Sequence, residues 1–579
     1  MSQEPDVAPL SSGQSVIGHV LRRVRSLTPR RADYAQMRVA PRKDLIAGIT
    51  VGVVALPLAL GFGITSGLGA GAGLITAIVA GTLAALFGGS NVQVSGPTGA
   101  MTVVLVPIVA VYGTNGVLVV GLMAGVLLIG MAFAGVGRYV RFIPLPVIEG
   151  FTLGIAVIIG LQQVPAALGM TAEGQHVVAV TIGAIADWVG NPDWAAITVT
   201  IAVTTLILGV MRLRPGVPIA LISVIAATAV TAILDLPLAT IGALPSHIPA
   251  PALPDLAWTD IRTLAVPALA VAALAALESL LSATVADAMS VSDRHDPDRE
   301  LFGQGIANIA VPLFGGIPAT AAIARTAVNV RSGAASRLAA LVHALVLLLI
   351  VLALADAVSK IPLAALAGVL IATAIRMVEV SSVRVLLRSS RSDTAVLVVT
   401  FVATVALDLA TAVILGIIAA GALALRQMAK TATLHEVPLE TLGNATEDHH
   451  NEEERSLLDA HVVAYRFEGP LFFGGAHMAL LELTEVSDIR VVILRLSHVT
   501  TLDATGAAVL ADTIRSLERR DVAVLMSGLP TRFVPALAAN GVFAQLVDRG
   551  HVFDHTPEAI AHARRHVTRD HHHVSDSAS

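Results

Sequence analysis

The chain has 579 residues, 55% of them apolar and 14% charged, with a net charge of −5 and a mean hydropathy of +0.78. An ordinary soluble domain is far less apolar, so most of this chain belongs in lipid, and the remainder suffices for one soluble domain of about 100–150 residues. No cysteine occurs, which excludes disulfides, thiolate metal sites and cysteine nucleophiles.

Residues 1–43 are polar and basic and lack the short apolar core of a secretory signal directly after the start. Arg22, Arg23, Arg25, Arg30, Arg31, Arg38, Arg42 and Lys43 crowd the segment before the first apolar run. Such an excess marks the cytoplasmic side of a cell membrane. An arginine arm for nucleic acid would have no reason to abut a span, so no nucleic-acid partner is expected.

One crossing needs about 20 apolar residues. Seven spans are predicted near residues 44–66, 70–88, 97–112, 116–135, 144–168, 194–211 and 217–235, and seven more near 264–287, 300–314, 319–333, 336–355, 361–378, 392–409 and 411–428. An even number returns the C-terminus to the cytoplasm. Arg384, Arg388 and Arg391 in one loop, and Arg426 with Lys430 after the last span, fit that parity. Residues 176–190 are apolar but short and are read as an interfacial helix.

Two breaks interrupt the apolar runs, Ser95-Gly96-Pro97-Thr98-Gly99-Ala100 and Gly315-Gly316-Ile317-Pro318-Ala319-Thr320-Ala321. Matched interruptions in two halves point to a transporter's binding site. The runs they open are too short to cross alone, and extended backbone before each survives at membrane depth only under protein or a water-filled cavity. If the halves are inverted repeats, helices starting near Thr98 and Ala319 face each other with their N-termini converging. Each end carries about half a positive charge and free N–H groups. A small anion between them could approach the backbone past Gly99, Ala100, Ala321 and Ala322.

Arg325 lies about two turns into the second half-helix, where an arginine costs about 3 kcal/mol to insert and faces a cavity or a partner. Its charge favours an anion in the site, or else it pairs with a carboxylate. Glu278 is the plausible carboxylate, and it shares a helix face with Ser282 by i,i+4 spacing. Beside an anion, Glu278 either takes up a proton or coordinates a cation together with the Ser282 hydroxyl, which couples uptake to H⁺ or Na⁺, or it forms a permanent ion pair with Arg325. The sequence leaves these readings open.

The runs Leu56-Pro57-Leu58-Ala59-Leu60-Gly61-Phe62, Gln93-Val94-Ser95-Gly96-Pro97-Thr98, Ala276-Leu277-Glu278-Ser279-Leu280-Leu281 and Gly316-Ile317-Pro318 through Ala324-Arg325-Thr326-Ala327-Val328-Asn329, in that order over about residues 40–565, resemble the SulP anion permease family. The resemblance implies an α-helical polytopic membrane protein of 14 spans, built as a 7+7 inverted repeat of core (spans 1–4 and 8–11) and gate (5–7 and 12–14) domains, with a C-terminal α/β STAS-like domain. It further implies elevator-like alternating access, a homodimer, and cargo such as sulfate, bicarbonate, chloride or dicarboxylates. The family's anion site maps onto Phe62, onto Thr98 and its neighbours, onto Glu278, and onto Ala324 and Arg325; with the helix starts at the two breaks, the expected substrate-binding set is Phe62, Ser95, Thr98, Gly99, Ala100, Thr320, Ala321, Ala322, Ala324 and Arg325. Sodium-dependent bicarbonate members carry a threonine where this chain has Ile323 and tend to lack the arginine at 325. That departure favours H⁺ over Na⁺ as the coupled ion and leaves the cargo open.

Residues 429–458 read as an acidic linker, with Glu447, Asp448, His449, His450 and Glu452 to Glu454 in one stretch. A βα alternation follows in the STAS-like domain of residues 459–566: strands at 461–468, 490–496 and 522–527, and helices at 475–485, 503–519 and 532–540. Asp503-Ala504-Thr505-Gly506 resembles the STAS loop, but Ala504 replaces the serine that anti-sigma-antagonist relatives phosphorylate. Thr505 is read as a capping or turn residue. Residues 567–579, with His571 to His573, read as a disordered tail. No nucleophile-base arrangement, P-loop, dinucleotide fingerprint or cysteine–histidine metal spacing is present, so no enzymatic activity, cofactor or metal is expected. Two other readings compete, a nucleobase carrier of the same fold and a membrane-anchored signalling protein whose STAS-like domain is the output.

Overall fold

Backbone in lipid has no water to bond to, so long apolar runs fold as helices whose amides are satisfied internally. The computed structural model describes residues 23–170, 177–214, 217–244, 247–255, 258–290, 294–407, 409–430, 433–437, 461–472, 489–539 and 541–576. The helices of the membrane unit are α1 (Pro41–Thr65), α2 (Ala70–Phe87), α3 (Gly99–Ala134), α4 (Leu145–Ala167), α5 (Val177–Gly190), α6 (Trp194–Leu213), α7 (Ile219–Ile233), α8 (Trp258–Met289), α9 (Pro297–Leu313), α10 (Ile323–Arg331), α11 (Leu338–Ser359), α12 (Leu363–Met377), α13 (Val380–Ser389), α14 (Arg391–Ala406) and α15 (Leu409–Ala429). Two short strands lie between them, β1 (Ser95–Gly96) and β2 (Thr320–Ala321).

Each of the fourteen expected segments contains helix. Among the described residues, nine helical runs are long and apolar enough to cross a membrane, α12 and α13 together forming one of them, and α7, α9, α10 and α14 are shorter. The third and fourth segments are one kinked helix, α3, broken at Gly113, whose φ of 68° suits glycine. The arginine-bearing loop before residue 392 is instead the helix α13, with Arg384 and Arg388 on it. Val178, Ile182, Ile185 and Val189 of α5 are exposed apolar side chains, and Thr181 donates to the Leu161 carbonyl of α4.

Packing divides the helices into two sets. In one, α1 lies against α2 and α11, α3 against α8 and α9, α2 against α9, and α10 against α8 and α1. In the other, α4 lies against α12 and α14, and α6 against α12 and α7. These sets are the expected core and gate. Close approach in the core depends on Gly48, where an added Cβ would stand 2.5 Å from the Ala339 carbonyl oxygen of α11.

A separate C-terminal unit begins near residue 419. Its sheet runs β3 (Thr433–Val437), β4 (Val462–Leu471), β5 (Val491–Leu502), β6 (Ala523–Ser527) and β7 (Val552–Phe553) in spatial order, with β3 antiparallel to β4 and the other pairs parallel. Parallel strands need cover on both faces. One face packs on α16 (Ala504–Glu518), α17 (Val534–Ala538) and α18 (Val542–Asp548), through Leu510, Ile514, Leu537 and Leu546. The other packs on α19 (Thr556–Asp576), through Ala559, Ala563 and Val567. Three expectations change here. Strand β3 falls in the segment expected to be linker, helix α19 runs through residues expected to be a disordered tail, and Asp503 rather than Thr505 caps α16 by accepting from Gly506 N at 2.6 Å. The expected helix at 475–485, most of the linker and residues 1–22 lie outside the described residues.

Candidate functional site

Proline lacks an N–H and pushes the residue before it toward extended backbone, so neither break can continue as helix. Ser95 and Gly96 pair antiparallel with Ala321 and Thr320. Ala322 N extends this ladder by donating to the Val94 carbonyl at 3.1 Å. The helices that open after the two breaks therefore start side by side, as the matched interruptions predict. Gly96 permits a close approach, because an added Cβ would lie 2.5 Å from Arg325 Nη1 and 3.2 Å from Ala77 Cα.

Side chains from four helices satisfy the non-helical backbone, as buried polar groups require. Asn308 on α9 accepts from Ala319 N at 2.8 Å and donates to Ala319 O at 2.9 Å. Thr76 on α2 accepts from Ile317 N at 2.8 Å. On α8, the Ser279 hydroxyl accepts from Ala321 N at 3.1 Å and shares a 2.9 Å bond with the Thr320 hydroxyl. Thr326 on α10 accepts from Val94 N at 3.2 Å, and Asn329 Nδ2 donates to Val92 O at 2.7 Å. Gln93 Nε2 donates to the Ser279 carbonyl at 2.7 Å, and Gln304 Nε2 to the Ser95 hydroxyl at 2.7 Å. Gln93, Ser279 and Asn329 appeared in the sequence only as members of the motif runs, without a role, and Thr76, Gln304 and Asn308 were not singled out, although isolated polar residues on apolar helices were the available signal.

Thr98 sits at the junction. It is the N-cap of α3 with extended φ and ψ, its hydroxyl accepts from Met101 N at 3.3 Å, and the same hydroxyl donates to Glu278 Oε2 at 2.8 Å. Glu278 is partly exposed, whereas Thr98 is buried. Across the ladder, α10 starts after Ala322, which offers no side-chain cap, so its first amides are open to a ligand. Ala322, Ile323 and Ala324 keep solvent exposure beside this open end. Phe62 is buried next to Gly99, where an added Cβ would lie 3.1 Å from Phe62 Cε1 and would overlap Ile159 of α4.

Several expected residues have other work. The Ser95 and Thr320 hydroxyls are buried in bonds that hold the crossing, and Gly99, Ala100 and Ala321 are buried as small neighbours of the helix starts. Ser282 donates to Thr326 at 3.1 Å rather than to Glu278, so the structure does not join the two expected coupling groups. Arg325 is 2% exposed; Nη2 donates to the Pro97 carbonyl at 2.6 Å, and Nη1 is buried without a partner. No direct ion pair joins Arg325 to Glu278. Instead of pairing directly, the two charged groups bond neighbouring residues of one break, Arg325 at Pro97 and Glu278 at Thr98.

Residues 42–400 match the Sulfate permease family and residues 458–559 the STAS domain. Over 531 residues the chain is 38% identical to "Putative sulfate transporter YvdB" of Bacillus subtilis (strain 168), covering 89% of this chain and 97% of that protein. It is 30% identical to the bicarbonate transporter BicA of Synechocystis sp. (strain ATCC 27184 / PCC 6803 / Kazusa), covering 90% and 94%. Among solved structures, the transmembrane domain of a cyanobacterium bicarbonate transporter BicA aligns at 31% identity with a TM-score of 0.59 over 66% of this chain and 97% of that one. The structure of SLC26A9 aligns with a TM-score of 0.78 over 96% of each chain, at an identity of 16% that speaks for the fold alone.

Proposed function

Because this chain belongs to the sulfate permease family, we propose that it is a secondary active carrier that takes up a small anion, sulfate in the first instance and bicarbonate or a C4-dicarboxylate as the alternative, with H⁺ as the coupled ion. The observation that carries this reading is the ladder of Ser95–Gly96 with Thr320–Ala321, which sets two helix N-termini together beside Thr98 and Glu278. The anion sits against the open amides of α10 at Ile323 and Ala324, beside Ala322, and the start of α3 at Thr98, Gly99 and Ala100, with Phe62 closing one side and Arg325 supplying fixed positive charge.

Glu278 is the coupling group. Among the described residues, Thr98 is the one side chain that donates to it, so a carboxylate there faces the anion with a single hydroxyl to stabilise it. Taking up a proton removes the repulsion between carboxylate and anion, and cargo and proton then load together. The core set carries the site past the gate set in an elevator-like movement, two chains associate as a homodimer, and both termini face the cytoplasm.

The test is flux into liposomes holding the purified protein, with labelled sulfate, bicarbonate and fumarate under imposed H⁺ or Na⁺ gradients. Glu278→Gln abolishes gradient dependence while leaving exchange of the preferred anion. Unchanged coupling in that variant removes the carboxylate from the mechanism. Deleting residues 431–579 leaves uptake in place; the competing reading, in which the STAS domain is a signalling output, requires that all function be lost.

A further inference from the structure

We propose that the STAS domain holds a divalent transition-metal site made by His551, His562 and His566 and suited to Zn²⁺. His562 and His566 lie one turn apart on α19, the i,i+4 spacing that presents two imidazoles to one cation. His551 immediately precedes β7 and enters from the sheet. One ring nitrogen of each lies within 4.8 Å of the other two, and the ring centroids are 5.4, 5.5 and 5.1 Å apart. Zn–N bonds of about 2.0–2.1 Å in a tetrahedral set place nitrogens about 3.4 Å apart, so closure needs shifts of about 1 Å. Small side-chain rotations on the two more accessible helix residues supply that.

A second observation points the same way. His551 is 8% exposed, and its main chain is fixed at both ends, with N donating to Leu546 O and O accepting from Met526 N, each at 2.8 Å. Its Nδ1 is nonetheless buried without a hydrogen-bond partner that meets geometric limits, the Val524 backbone being the polar group that acts on the ring. Buried polar atoms in native proteins have partners, and an ion is one kind of partner that completes such a site. Edge-to-face packing of the three rings accounts for their carbon edges but leaves Nδ1 unsatisfied. Imidazole nitrogens suit Zn²⁺ among the first-row cations, and three of them leave a fourth position open to water. Arg565, whose Nη2 stands 3.4 Å from His562 Nδ1, opposes the cation. A bound metal would pin α19 to the end of β7.

Untagged, metal-stripped full-length protein in detergent is titrated with Zn²⁺, and with Co²⁺ for its visible absorption. The wild type binds one Zn²⁺ per chain and gives a tetrahedral Co²⁺ spectrum. His562→Ala with His566→Ala weakens binding by more than about 100-fold and abolishes that spectrum, while Arg565→Gln strengthens it. A variant with His571→Ala, His572→Ala and His573→Ala binds as the wild type does. His562→Gln alone, with the circular dichroism of the wild type, guards against loss of fold. Absence of Zn²⁺ binding, binding unchanged in the double variant, or binding lost only with the tail histidines overturns the proposal.

Discussion

Thr98→Val keeps the shape of the side chain and removes its hydroxyl, which does two things at once. It accepts from Met101 N as the cap of α3 and donates to Glu278 Oε2 at 2.8 Å. Loss of a cap costs about 0.5–2 kcal/mol, and leaving a buried acceptor without its donor about 1–3 kcal/mol. These costs appear in different measurements. The cap acts on folding, and for so large a unit about 1 kcal/mol moves Tm by no more than about 2–4 °C. The bond to Glu278 acts on the loaded site, where the protonated carboxyl keeps an acceptor oxygen for it, and about 1–3 kcal/mol corresponds to about a 5- to 150-fold fall in the kcat/KM of uptake. Thr98→Ser retains the hydroxyl and remains within a few-fold of wild type. Initial rates of proton-driven uptake, measured beside thermal unfolding, separate the two effects. Equal uptake by the valine and serine variants would refute a role for this hydroxyl in coupling.

Gly96→Ala places a methyl against Arg325 Nη1 and the Ala77 backbone. Overpacking of this kind costs about 1–3 kcal/mol, so uptake falls about fivefold or more in liposome flux; wild-type uptake contradicts the close approach. Arg325→Met raises the KM for the anion about tenfold or more and leaves the Pro97 carbonyl without its donor, at about 1–3 kcal/mol of stability; saturation kinetics and calorimetry check both. Asn308→Leu strips both backbone groups of Ala319 of their partner, at about 1–3 kcal/mol each. It lowers thermal stability in detergent far more than Asn308→Asp, which retains the acceptor. Asp33 is partly desolvated, which opposes ionisation, but Arg299 at 2.8 Å and the Arg30 amide outweigh that and hold its carboxyl below the usual 3.8. Asp33→Asn therefore costs up to about 1 kcal/mol at neutral pH, a difference fully present above pH 3.8 and lost as pH falls through the lowered value, as acid unfolding of the two proteins reveals.

Sequence made legible what repeats or breaks a pattern. Pro97 and Pro318 interrupt apolar runs in both halves, so their partnership could be read before any coordinates, and Thr98, Glu278 and Arg325 stand out as polar groups in lipid. The contacts that hold the crossing were hidden, because Asn308 and Ser279 reach backbone groups that only tertiary packing brings near, and one isolated side chain has no period. Ser282 shares spacing with Glu278, yet spacing along one helix cannot foresee that Thr326 of another helix takes its hydroxyl. Helix α19 was missed for a different reason. The histidine-rich composition of its end suggested a tail, although Ala559, Ala563 and Val567 already mark a buried stripe at four-residue intervals.

Ribosomal order gives the small ladder at Ser95 a further meaning. Its partner strand lies about 225 residues downstream, and at about 5–20 residues per second that is a delay of about 11–45 s. Through this interval residues 91–98 have been made while Asn329, Thr326 and Ala322, which complete their bonds, have not. The N-terminal half is therefore unfinished in its own right, and the first pocket wall has to be sheltered by the insertion machinery or by neighbouring helices until α10 arrives. Nascent chains halted before residue 320 should accordingly be the ones that quality-control proteases remove.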